Sequence, residues 1–127
     1  MDRLLAIAAG GAVGATLRYL LAGWVHRISS ASFPWGTLTV NVLGCFVLGL
    51  LGTAIAGPLL LREELRLGLL VGLLGAFTTF STFGWETMML LSNGRWALAA
   101  GNLLLSNGLG LVAVFCGYRL AQRIWGI

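Results

Sequence analysis

The chain has 127 residues, of which 58% are hydrophobic and only 9% charged, with a formal net charge of +4. Soluble domains carry about 25% charged residues, and a mean hydropathy of +0.93 sets this chain apart as an integral membrane protein. Four apolar stretches of about 20 residues each take up most of its length, so the expected fold is all-α, one compact domain of four transmembrane helices with no room for a soluble catalytic lobe. Its eight basic residues are all arginine and lie mostly outside the apolar runs, where they face lipid headgroups rather than nucleic acid.

The first span is expected over residues 4–25. Gly10-Gly11-Ala12-Val13-Gly14 gives it a small-residue face that lets another helix approach to backbone distance. Arg18 lies inside this span, and a guanidinium there either needs carbonyls or a wet vestibule, or snorkels to the interface. His26 and Arg27 close the helix. After a polar loop at Ser29-Ser30-Ala31-Ser32 and Pro34, the second span is expected over 35–56, ended by Gly57-Pro58. Thr37 and Asn41 are four apart and share one face, which Gly44 and Cys45 continue. Asn41 is either a donor for a polar path or an interhelical hydrogen bond that holds the bundle. Cys45 and Cys116 both fall in apolar runs without metal or disulfide spacing.

The charged run Arg62-Glu63-Glu64-Leu65-Arg66 leads into a third span over 67–92, where Gly68 and Gly72 form a second close-packing pair. Within it, Gly75-Ala76-Phe77-Thr78-Thr79-Phe80-Ser81-Thr82-Phe83 places four hydroxyls and three rings in an aliphatic run. Glycine followed by threonines weakens a helix by backbone entropy and by competition for backbone partners. Two readings stand side by side: a helix broken at Gly75 in mid-membrane, exposing carbonyls on one half and amides on the other, and a hydroxyl-rich packing face. Phe80 and Phe83 are three apart. Glu86 is the only acid in any span and lies four residues after Thr82.

Asn93-Gly94 is a turn, and the fourth span is expected over 96–120, with Asn102, Ser106 and Gly110 on one stripe and Asn107 off it. Trp24, Trp35, Trp96 and Trp125 sit near span ends as interfacial anchors. Arg3, Arg62, Arg66, Arg119 and Arg123 fall on the side of the termini, against Arg27 and Arg95 on the other. This bias is modest, and insertion in both orientations stays open.

Polar groups occur on all four helices, yet no nucleophile–base set, carboxylate pair, metal-ligand cluster or phosphate loop is present. The expectation is therefore no enzyme. Hydroxyls, amides and a guanidinium present hydrogens while Glu86 is the sole formal anion in the spans, a balance that suits an anion path. Phenyl rings suit an anion only at their positive edges.

Gly14-Ala15-Thr16-Leu17-Arg18-Tyr19, then Trp35-Gly36-Thr37-Leu38-Thr39-Val40-Asn41-Val42-Leu43-Gly44, then Gly72 to Phe83 with Glu86, in this order and spacing, resemble the Fluc/CrcB family of fluoride channels over the whole chain. The resemblance implies an antiparallel homodimer in the inner (plasma) membrane, exporting fluoride from the cytoplasm through two parallel pathways. It implies Asn41 as a pore amide and Phe80 and Phe83 as edge-on fluoride-coordinating rings. Thr37, Ser81 and Thr82 match the family's motifs, and Ser106 is the best pore candidate on the fourth helix. Arg18 would sit in a vestibule, with Glu86 and Asn102 supporting the polar track. Gly75 and Thr78 would offer backbone carbonyls from both subunits to a structural sodium ion that is not transported. Two other readings are a small four-helix multidrug exporter, similar to this chain in size only, and a non-transporting subunit of a larger membrane complex.

Overall fold

A computed structural model describes residues 1–29 and 32–127; of the expected Ser29–Ser32 loop, Ser30 and Ala31 lie outside the described residues. The fold is all-helical. Helix α1 is Asp2–Ile28, α2 is Trp35–Ala56 and α6 is Trp96–Trp125. Between α2 and α6, the stretch Glu63–Ser92 is assembled from α3 (Glu63–Leu67), a π-helical segment (Gly68–Leu74), α4 (Gly75–Phe77) and α5 (Phe80–Ser92). Four stretches, Asp2–Ile28, Trp35–Ala56, Glu63–Ser92 and Trp96–Trp125, are long and apolar enough to cross a membrane, so the protein is a multi-pass membrane protein.

Apolar side chains give little reason for helices to associate in lipid, where close backbone packing has to supply the attraction. Small residues do this at two seams. Along α1, a Cβ added to Gly10 would strike Gly68 O, and one added to Gly14 would strike Leu73 O, while Gly72 faces Ile7 O. Along the seam between α2 and α6, Gly49 lies against Val114 O and Gly117 against Phe46 O. Thus α2 pairs chiefly with α6, and α1 chiefly with the π-helical segment, with α2 and α4 beside it. The glycine faces expected from the sequence meet each other here.

The π-helical segment was not foreseen in the sequence. Each of its turns takes in an extra residue relative to an α-helix, and such segments gather at functional sites. A further difference lies just beyond it. Gly75, where helical weakness was expected, is helical (φ −63°, ψ −38°). The extended residues are Thr78 (φ −82°, ψ 157°) and Thr79 (φ −151°, ψ 112°). The reason is local hydroxyl chemistry, since both the N–H and Oγ1 of Thr78 donate to Leu74 O, and Thr79 Oγ1 caps α5 by accepting from Thr82 N–H at 3.2 Å.

At the membrane surface, Arg3 pairs with Glu63 at 2.7 Å, both largely exposed. Exposed pairs contribute about 0–1 kcal/mol. Glu63→Gln is therefore expected to leave the unfolding temperature in detergent nearly unchanged; a large drop on thermal denaturation would show that this pair fixes the entry of the third span.

Candidate functional site

Asn41, on α2, meets the extended residues directly. Its Nδ2 donates to Thr79 O at 3.0 Å, and its Oδ1 accepts from Thr79 N–H at 2.7 Å. One side chain thereby serves both backbone groups of a residue that has left the helix, as buried backbone polar groups require. Thr79 Oγ1 also donates to Thr82 Oγ1 at 3.0 Å and lies 3.4 Å from Ser81 Oγ.

These bonds have a consequence for the carbonyls upstream. In a continuous helix Thr79 N–H would point at Gly75 O and Thr82 N–H at Thr78 O. The first goes to Asn41 instead and the second to Thr79 Oγ1. Gly75 O and Thr78 O, the two carbonyls implied as sodium ligands, are thus released from their helical donors. Such neutral oxygens fit a hard cation, although two are fewer than the six or so that hard cations gather. Arg18 Nη1 lies 3.5 Å from Thr78 O, bringing its guanidinium to the same end of α4.

Most of the other candidates are distributed over three hollows. Asn41, Gly75, Thr78, Phe80, Phe83 and Ser106 line the first, a cavity of ≈ 310 Å³. Phe80 is 79% exposed and Phe83 6% exposed; their ring centroids are 5.4 Å apart and the planes tilted by 50°. The second, also ≈ 310 Å³, is lined by Arg18, Thr37 and Thr82. Thr79 lines both and forms the wall between them. Glu86 lines a third hollow with His26 and Arg95. Thr37 connects the second and third, because its Oγ1 donates to Glu86 Oε1 at 2.7 Å. Glu86 Oε2 is buried without a hydrogen-bond partner. Thr82, the neighbour expected for Glu86, engages Thr79 instead. Ser81 is exposed and lines none of these three hollows. Asn102 is 1% exposed, lines none of the three either, and binds Ser106 and Thr87.

Sequence reasoning passed over two residues here. Thr79 belongs to the same hydroxyl run as Thr78 and Thr82, so composition alone already marked it. Asn107, set aside because it leaves the stripe of Asn102 and Ser106, nonetheless lines the first cavity beside Ser106; adjacent helix positions are about 100° apart, and an open cavity spans more than one stripe.

Four helices long and apolar enough to cross a membrane, with hydroxyl, amide and guanidinium groups bordering neighbouring hollows, define a multi-pass membrane protein. The chain belongs to the CrcB family, described as CrcB-like protein, Camphor Resistance (CrcB), which matches residues 5–118. It is 49% identical over 124 residues to a protein of Geobacter sulfurreducens named fluoride-specific ion channel FluC, covering 98% of this chain and 100% of that one. Proteins of the same name from Nitrosococcus oceani and Chloroflexus aurantiacus are each 47% identical, over 97% and 99% of this chain and 98% and 100% of theirs.

Proposed function

We propose that this protein is a fluoride-selective ion channel, not an enzyme, and that it exports fluoride from the cytoplasm across the inner (plasma) membrane. What carries the reading is the 49% identity over the full length of a relative named as a fluoride-specific channel. The geometry supports it. The start of α5 directs the N–H groups of Phe80 and Ser81 away from any intrahelical acceptor, and a helix N-terminus favours an anion. Phe80 and Phe83 border the same cavity and offer ring edges in place of water. Asn41 and Thr82 have hydrogens to offer along the track and Ser81 presents one at the exposed start of α5, while Thr37 and Ser106 line it with hydroxyls whose hydrogens are given to Glu86 and Asn102. Arg18 provides positive charge in the vestibule, and Glu86 and Asn102 hold the track's side chains in place.

The extended residues Thr78 and Thr79 are read as a break of the third helix at mid-membrane, tolerated because a protein side chain replaces the lost helical partners. The functional unit is an antiparallel homodimer. A phenylalanine 79% exposed on the edge of an open cavity calls for a cover, and a second, inverted copy would close the cavity and double the number of carbonyls from Gly75 and Thr78. Those carbonyls would hold a structural sodium ion, whose charge would offset the partial negative charge of two α4 C-termini.

The test is anion efflux from liposomes containing the purified protein, with fluoride compared to chloride and Phe80→Ile alongside. Rapid fluoride loss with chloride retained, and loss of flux in the variant, is the expected result. A folded dimer that releases no fluoride would overturn the proposal in favour of a structural subunit, and drug-stimulated proton flux would favour an exporter.

A further inference from the structure

Three hydrogen bonds join α6 to the ring-bearing part of α5. Ser106 Oγ donates to Asn102 Oδ1 at 3.2 Å, Asn102 Nδ2 donates to Thr87 Oγ1 at 2.9 Å, and Thr87 Oγ1 donates to Phe83 O at 2.8 Å. Only one arrangement of hydrogens satisfies all three. Phe83 O can only accept, so the single hydrogen of Thr87 goes to it. Thr87 Oγ1 must then accept from Asn102, which turns Nδ2 towards Thr87 and Oδ1 towards Ser106. The hydrogen of Ser106 is in turn committed to Oδ1. Thr87 is 7% exposed and Asn102 1% exposed, so no water takes over either role.

The location of this chain of bonds gives it a consequence. α5 carries Phe80, Phe83 and Glu86, and α6 is the helix it packs on most, with little contact to α2. Asn102 to Thr87 is the buried side-chain bond across that contact. Its far end is the backbone of Phe83, whose ring faces the first cavity, and its near end is Ser106, which lines the same cavity. A threonine hydroxyl bonded to the carbonyl four residues back also bends its helix slightly, here at the turn that begins with Phe83.

We infer that Thr87 and Asn102 are positioning residues for the ion path: through this directed chain they fix Phe83 and keep the hydrogen of Ser106 turned away from the cavity until an ion competes for it. An anion reaching Ser106 takes this hydrogen only by leaving Asn102 Oδ1 buried and unpaired, which limits how long the ion is held there. Neither residue touches the ion. The inference rests on the fluoride-channel reading above.

The test uses liposomes at a protein density near one channel each, where the fraction of vesicles that empty counts active channels and the rate of emptying reports the rate per channel. Thr87→Val keeps the shape of the side chain and removes the hydroxyl. It is expected to lower the fluoride rate per channel about tenfold with the emptying fraction unchanged, and Thr87→Ser, which restores the hydroxyl, to recover the rate. A lower emptying fraction at an unaltered rate would mean that Thr87 only stabilises the fold, and would overturn the inference. So would failure of Thr87→Ser to recover the rate. Should Thr87→Val not fold, Thr87→Ala carries the same expectation with less crowding, and a wild-type rate in that variant overturns the inference equally. If the unaltered protein passes no fluoride, the channel reading falls and this inference with it; flux in the unaltered protein with no change in the valine variant sinks this inference alone.

Discussion

Asn41→Leu is expected to unfold at a markedly lower temperature than the unaltered protein and to conduct no fluoride. The side chain serves Thr79 N–H and Thr79 O together, at 2.7 and 3.0 Å, and leucine offers neither a donor nor an acceptor. Leaving one buried polar group unpaired costs about 1–3 kcal/mol, so losing both costs about 2–6 kcal/mol, a large part of the 5–15 kcal/mol or so that holds a typical domain together. The segment would respond by drawing Thr79 N–H back towards Gly75 O, which displaces the start of α5 and both rings with it. Asn41→Asp separates the two contributions: a carboxylate still accepts from Thr79 N–H but sets its other oxygen against Thr79 O, so an intermediate loss is expected. Thermal unfolding in detergent, followed by tryptophan fluorescence, measures the first effect and liposome flux the second. If Asn41→Leu melted with the unaltered protein, the extended conformation of Thr79 would have to be held by something other than Asn41.

The four helices could be read from the chain because spanning a bilayer demands about 20 apolar residues, and such runs are visible without any tertiary information. The glycine faces were legible for a related reason: Gly10 and Gly14, or Gly68 and Gly72, recur at the spacing of one helix face, and two such faces need each other. What the sequence did not reveal depends on contacts between distant residues. Nothing near Thr79 indicates that its N–H is taken by Asn41, 38 positions earlier. Local helix weakness therefore pointed to Gly75, whereas the extended residues are Thr78 and Thr79. Glu86 illustrates the same point, since Thr82 is its neighbour on one helix face but the hydroxyl that reaches it is Thr37, on another helix. The π-helical segment, too, packs along α1, and no local pattern of glycines and leucines announces its extra residue per turn. Among the candidate residues, chemical type was readable everywhere, while the division into three hollows and one buried bridge at Asn102 was not.

Gly14→Val is expected to give a large loss of folded protein. A Cβ at this position would overlap Leu73 O and crowd Leu73 C at 2.9 Å, and these are backbone atoms that cannot turn aside as a side chain would. Inserting bulk into a well-packed contact costs about 1–3 kcal/mol where side chains can adjust, and the rigid partner puts this site at the upper end of that range. Its damage extends to the polar track, because Leu73 lies within the π-helical segment one residue before Leu74, whose carbonyl accepts both hydrogen bonds from Thr78. Pushing α1 away from Leu73 therefore moves the end of α4 and the carbonyls of Gly75 and Thr78. Gly23 provides the comparison, since on the same helix a Cβ there meets nothing within 4 Å. Gly23→Ala is expected to be neutral or mildly stabilising, because alanine is the better helix former by about 1 kcal/mol. Folded yield and unfolding temperature in detergent distinguish the two variants. Equal behaviour of Gly14→Val and Gly23→Ala would mean that the close approach of α1 to the π-helical segment does not hold the fold together, and that α1 is a lipid-facing helix whose glycines serve no contact.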